Sequence, residues 1–241
     1  MELLSKILNL LRFIYQIIVF FRLNIIFELP LMLWLFYQVK KYTAINSLRL
    51  AFLYKSTKAL DVLKIPGDIV ECGVYNGGSA AVLAYASKQS KMHRKIWLFD
   101  SFRGLPKPTA KNGKTVLEYY RTGWLFKGEV SKVKEIFGKL QIKQDKIYII
   151  EGWFEKISRS IKIPQIAILH IDVDWYKSVN SCLNKFYDSV VPRGFVILDD
   201  FEWSEGCKKA TMEFIKKRNL KAELLRVDST SAYYFQKPAQ E

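Results

Sequence analysis

From Ser47 onward the chain switches regularly between two hydrophobic periods. Residues 47–64 (SLRLAFLYKSTKALDVLK) carry apolar side chains at helical spacing and are stopped by Pro66-Gly67. Beyond them, short runs rich in Ile, Val, Leu and Phe alternate with longer ones of helical type. Strands are predicted over 68–74, 95–100, 146–152, 165–172 and 194–200, and helices over 78–90, 129–140, 176–190 and 205–218. Strands alternating with helices make an α/β domain of parallel βαβ units with right-handed crossovers. The rhythm changes at the end, where KAELLRV (221–227) and SAYYFQK (231–237), joined by Asp228-Ser229-Thr230, read as a closing antiparallel hairpin. The stretch 101–128 is too long for an ordinary connection and carries Tyr119, Tyr120, Trp124 and Phe126. Loops of that length in a compact domain usually have a function, and its aromatic rings make this one a candidate lid.

Residues 1–41 follow a different pattern. They are dense in Leu, Ile and Phe, but Arg12, Arg22 and Glu28 interrupt them, and Pro30 is expected to break any helix. Because 18 uncharged residues never occur in a row, a simple transmembrane span is not supported. A signal peptide fits badly as well, since Glu2 accompanies Lys6 and no small-residue cleavage site follows. The expectation is a hydrophobic, basic, membrane-associating segment over 1–41, with helices at about 7–21 and 30–39, in front of a domain over 42–241. Lys6, Arg12, Arg22, Lys40 and Lys41 would meet an anionic leaflet. The competing reading is a helical cap or a dimer interface that covers its own apolar face.

Half of the 241 residues are hydrophobic, which excludes a disordered chain and allows one full core plus an appendage. The formal net charge of +15 calls for an anionic partner. Nucleic acid is the weaker choice, because the basic residues are scattered and no zinc-finger, RNP-type or basic-zipper pattern occurs. Clusters such as Lys216-Lys217-Arg218 read as a solvated helix face. Cys72, Cys182 and Cys207 form an odd set without CxxC spacing, which argues against disulfides and structural zinc and fits a reducing cytosol.

The chemistry is concentrated at strand ends. Asp172 closes IAILHID, and the Asp199-Asp200 pair closes FVILDD. On neighbouring parallel strands these three carboxylates would meet at one edge and suit a hard divalent cation such as Mg²⁺. A single Asp there could equally cap the following helix. The first strand runs into ECGVYNGGS (71–79), a glycine-bearing turn that opens a helix and offers free N–H groups to a ligand. Its spacing differs from the GxGxxG of dinucleotide binders, which places a NAD-dependent oxidoreductase last among the candidates. Gly73, Tyr75, Gly77 and Ser79 of this turn are candidate cofactor contacts. Asp100, at the end of the second strand, could accept hydrogen bonds from both hydroxyls of a ribose. Open α/β sheets bind ligands at the carboxyl ends of their strands, so Gly73, Asp100, Asp172 and Asp199 should face one crevice. A nucleoside on one side and a metal on the other suggest transfer from a nucleoside cofactor to a metal-bound acceptor.

GDIVECGVYNGGSA, WLFDSFRGLP, EGWF, HIDVDWYKS and PRGFVILDDF, in this order, resemble the macrocin O-methyltransferase family, S-adenosylmethionine-dependent enzymes that methylate sugar hydroxyls of antibiotics and related glycosides. The resemblance covers about 42–237 and implies a Rossmann-like seven-stranded class I methyltransferase fold, mostly parallel, ending in an antiparallel hairpin. It implies that Asp172, Asp199 and Asp200 hold Mg²⁺, that Glu71, Gly73, Asp100 and Ser101 line the S-adenosylmethionine pocket, and that Trp153 and Phe154 of EGWF flank the adenine, with Gly152 of the same motif a further candidate cofactor contact. Two departures concern the acceptor: Phe201-Glu202-Trp203 replace a Tyr and polar residues after the Asp pair, and His170 replaces an Arg before the IDVD motif.

Asp172 is the candidate base as well as a ligand, with His170 the other titratable option and more simply a buried structural histidine. Asp174 ranks below the trio as a ligand and is expected to help cap the helix at 176–190. The acceptor expected is a saccharide or glycoside, with lipid-linked glycans attractive if 1–41 holds the chain at the inner face of a membrane, and a homo-oligomer is left open. A catechol-type enzyme with the same metal logic, or a non-catalytic membrane-bound scaffold, are the alternatives.

Overall fold

The computed structural model describes residues 25–239 apart from 89, 113–117, 119, 121–125 and 158–159. The helix expected at 7–21, and Tyr119 and Trp124 of the candidate lid, lie outside the described residues. In chain order the elements are α1 (Ile25–Val39), α2 (Ser47–Val62), β1 (Asp68–Cys72), α3 (Gly78–Ser87), β2 (Ile96–Asp100), α4 (Val130–Lys139) and β3 (Ile147–Glu151). They continue with α5 (Phe154–Ile157), β4 (Ile166–Ile171), α6 (Tyr176–Phe186), β5 (Val190–Leu198), α7 (Glu205–Lys217), β6 (Leu225–Arg226) and β7 (Tyr233–Gln236).

The seven strands form one sheet in the order β3-β2-β1-β4-β5-β7-β6. Strands β1 to β5 are parallel, β7 inserts antiparallel to β5, and β6 closes the edge antiparallel to β7. This is the mostly parallel sheet with an antiparallel end that the motif order implies. Residue alternation along each strand feeds two cores. Ile69 and Ile168 face the layer of α1, α2, α3 and α4, while Val70 and Leu169 face the layer of α6 and α7. A sheet covered on both faces needs apolar residues at successive positions, which is why the strands read as continuous runs.

Strand order reverses between β1 and β4, and register there is level: Cys72 pairs with both Phe99 and Ile171, and Ile171 with Leu198. The residues one step further on, Gly73, Asp100, Asp172 and Asp199, are therefore held along one sheet edge. Hydrogen bonds from Gly73 N to Phe99 O (2.9 Å), Asp172 N to Cys72 O (2.8 Å) and Asp199 N to Ile171 O (3.0 Å) continue the ladder into the site.

Several element boundaries differ from the sequence reading. Pro30 does not end the second N-terminal helix, which runs over Ile25–Val39. Met32, Leu35 and Val39 are buried in the core against α2 and α3, and that packing outweighs the one N–H donor that proline removes. Packing of the domain thus extends upstream of residue 42. Helix α6 ends at Phe186 rather than 190, because Val190 joins the sheet opposite Ile166. Its strand then bulges at Pro192-Arg193, where Arg193 takes a φ of 65°, and the register resumes at Phe195 opposite Ile168. The hairpin is shorter than expected, with 221–224 outside any strand.

Candidate active site

The turn after β1 is shaped by a close approach of two strands. Gly73 has a φ of 90°, and a Cβ placed on it would lie 1.7 Å from the carbonyl oxygen of Asp172. Only glycine lets the cofactor-type turn and the strand bearing Asp172 come together. Tyr75 follows at a φ of 52°, and Gly77 caps α3 at 87° with its α-hydrogens against Val133. Asp100 fastens this turn to the end of β2. Its Oδ2 accepts from the N–H groups of Val74 (2.7 Å) and Tyr75 (2.8 Å), and its Oδ1 from that of Phe102 (2.7 Å). About one of a carboxylate's roughly four acceptor sites is then left for a ribose hydroxyl.

A cleft opens over this edge. Gly73, Tyr75, Ser79, Asp100, Ser101, Gly152 and Trp153 line one part of it, and Asp172, Asp199 and Asp200 another. Two expected cofactor residues stand elsewhere. Gly77 is not among the lining residues, and Glu71 is fully buried behind the edge, where its Oε1 meets His170 Nδ1 at 2.9 Å. As the alternation of a strand dictates, Glu71 and Gly73 flank Cys72 on the same side of β1, but Glu71 lies a full repeat deeper.

Carboxylate oxygens of Asp172, Asp199 and Asp200 lie within 4.8 Å of one another. They form the one group of this kind among the described residues. Burial, followed by the charges of Asp199 and Asp200, pushes the Asp172 carboxyl well above the usual carboxylate range. Burial and the Asp199 charge raise Asp200 to about 7. Asp200 Oδ2 is buried without a hydrogen-bond partner, so the cluster has lone-pair capacity that the protein does not use. His170 lies beneath it, with Nε2 3.8 Å from Asp199 Oδ1. Burial pulls its pKa down, yet the nearby carboxylates of Asp199 and Glu71 prevail and hold it up at about 9. Asp174 stands outside the trio at a φ of 53° and does not cap α6 with its side chain. That role falls to Asn112, whose Oδ1 accepts from Tyr176 N at 3.0 Å, while the Asp174 carbonyl accepts from Ser204 Oγ at 2.6 Å.

Sequence reasoning missed the arginine of this site. Arg49, in the first turn of α2, lines the cleft and forms an ion pair from Nη1 to Asp199 Oδ2. Its Nε donates to Asp228 Oδ2 at 2.7 Å. Within SLRLAF nothing distinguishes this arginine from a solvated one, because its partners lie far along the chain, at the end of β5 and in the closing hairpin. Thr43, Ala44 and Ile45, between α1 and α2, also line the cleft. Of the candidate lid, Phe126 lines it too and packs edge-on against Tyr75, ring centroids 6.2 Å apart.

A family model described as Macrocin-O-methyltransferase (TylF) matches residues 38–237. Demethyldecarbamoylnovobiocin O-methyltransferase of Streptomyces niveus is 27% identical over 173 residues, covering 70% of this chain and 66% of that protein. The 8-demethyl-8-(2,3-dimethoxy-alpha-L-rhamnosyl)-tetracenomycin-C 4'-O-methyltransferase of Streptomyces olivaceus is 25% identical over 173 residues, with the same shares of 70% and 66%. The matched region thus spans 66% of the length of either relative. Among solved structures, the O-methyltransferase NovP superposes with a TM-score of 0.75 at 25% identity, covering 82% of this chain and 83% of that one.

Proposed function

The chain belongs to the macrocin O-methyltransferase family, and from that premise we propose that it transfers a methyl group from S-adenosylmethionine to a hydroxyl of a saccharide or glycoside, with Mg²⁺ held by Asp172, Asp199 and Asp200. One observation carries the reading: the glycine turn fastened by Asp100 and the acidic trio open onto a single cleft. The rhamnosyl group in the printed name of the Streptomyces olivaceus relative supports a sugar acceptor here.

The trio fits a hard cation by its all-oxygen donor set, its mutual repulsion and the unpartnered Asp200 Oδ2. Mg²⁺ bound there would orient an acceptor diol and acidify its hydroxyl, and S-adenosylmethionine would supply a methyl group on a good leaving group. The protein's own part is alignment and one proton. Gly73, Tyr75 and Ser79 present the turn to the donor, and Trp153 and Phe154 offer flat apolar walls for its adenine. Asp172 receives the hydroxyl proton on a carboxylate oxygen that faces the acceptor. His170 and Glu71 brace Asp199 from below.

Calorimetry with S-adenosylmethionine, with and without Mg²⁺, followed by methyl transfer to sugar diols and to phenolic diols, tests this. Turnover of sugar diols that disappears with chelator and in Asp199→Ala, while donor binding persists, is expected. Phenolic preference would indicate a catechol-type enzyme, and absence of donor binding a scaffold.

The outer face of α1 supports placement at the cytosolic side of an anionic membrane. Leu29, Leu33, Trp34 and Tyr37 are exposed there, and Lys40 and Lys41 follow at its end, which is the make-up of an interfacial helix. No helix among the described residues is long and apolar enough to cross a bilayer. Since α1 leads into the cleft wall at Thr43–Ile45, a lipid-linked glycan could reach the site from that surface. Full-length chain should float with anionic vesicles, and Leu33→Glu with Tyr37→Glu should release it. Self-association through this face without vesicle binding would overturn the placement.

A further inference from the structure

We propose that Arg49 is a resident counter-cation of the acidic site, which weakens the grip on the divalent ion and keeps that ion exchangeable. This rests on the reading of Asp172, Asp199 and Asp200 as its ligands. The guanidinium is anchored from outside the trio: Nε donates to Asp228 Oδ2 at 2.7 Å and Nη2 to Thr230 Oγ1 at 2.6 Å, leaving Nη1 for Asp199 Oδ2. Asp228 is rigidly held in turn. Its Oδ1 accepts from the N–H groups of Thr230, Ser231 and Ala232, and its Oδ2 also from Asn46 Nδ2 at 2.7 Å. The side chain of Asp228 is fully enclosed and that of Arg49 is 12% exposed.

A guanidinium fixed in this way cannot swing off when an ion arrives. It permanently occupies one oxygen of a ligand carboxylate and places a unit positive charge one carboxylate away from the ion. The low-dielectric surroundings do not screen that repulsion well. An ion held loosely suits a site in which acceptor oxygens must enter and leave the coordination shell at each turnover.

Full-length wild type, Arg49→Gln and Arg49→Lys are to be compared for Mn²⁺ binding by electron paramagnetic resonance and Mg²⁺ binding by calorimetry. Neither donor nor acceptor is added, and a pH of about 8.5 limits competition by protons. Arg49→Gln should bind about tenfold tighter or more, about 1.4 kcal/mol, and Arg49→Lys, which keeps the charge, should stay within about threefold of wild type. If Arg49→Gln is unfolded by circular dichroism, the double variant Arg49→Gln/Asp228→Asn removes charge and buried anchor together and should show the same tightening. Equal or weaker binding in a folded neutral variant overturns the inference. A wild type that binds neither ion sinks the metal reading itself, a distinct outcome.

Discussion

Asp228→Ala should destabilise the protein by about 3–5 kcal/mol, although the residue lies in a hairpin turn and touches no proposed ligand position. In the native state the Asp228 carboxylate accepts from three backbone N–H groups, Asn46, Thr230 Oγ1 and Arg49. Removal leaves a guanidinium that is 12% exposed without its anchoring partner, and N–H donors enclosed without acceptors. Breaking one side of a buried ion pair costs about 3–5 kcal/mol, because the surviving charge is stranded. For a domain of this size each kcal/mol moves the melting temperature by roughly 2–4 °C, so a fall of about 6–20 °C is expected by calorimetry. The same contacts hold the Asp228 pKa far below the usual carboxylate value. With a depressed folded-state pKa, its contribution is fully present above about pH 4, the unfolded value, and is lost as pH falls below that. The gap between wild type and variant should therefore be constant from neutral pH to about pH 4 and narrow below it. A shift below about 1 kcal/mol at pH 7, or a gap that widens in acid, would refute this account of how the hairpin is bound to α2.

Gly73→Ala forces a methyl group onto the Asp172 carbonyl, so it should cost at least about 2 kcal/mol in melting experiments and abolish S-adenosylmethionine binding by calorimetry. Leu35→Ala, at a fully buried position of α1, should cost about 2–5 kcal/mol by denaturant titration, whereas an α1 that served only as a membrane anchor would give a change near zero. Because Asp200 is raised to about 7 by burial and by Asp199, divalent-ion binding to the resting protein should release a proton below that pH. Affinity should then climb by up to about tenfold per pH unit for each proton displaced, with the rise from Asp200 falling below about pH 7, which calorimetry in buffers of different ionisation heat can read.

What could be read from the chain and what could not divide along a physical line. Strands β1, β2, β4 and β5 were legible because burial on both faces demands uninterrupted apolar residues, a constraint local to each run. Once those runs are parallel and alternate with helices, the placement of Gly73, Asp100, Asp172 and Asp199 on one edge follows from topology alone. Boundaries escaped where a tertiary contact overrode the local pattern: Pro30 inside a helix held by Leu35 and Val39, and Val190 drawn from a helical pattern into the sheet beside Ile166. Charge compensation escaped altogether. Arg49 reaches Asp199 and Asp228, and Glu71 reaches His170, across separations of 99 to 179 residues, with no periodicity to announce them. The ligating carboxylates are recognisable because they must stand at strand ends; the groups that set their charge need only reach them in space. A family resemblance therefore transfers the trio more securely than the affinity of the trio, which depends on what this fold has folded in beside it.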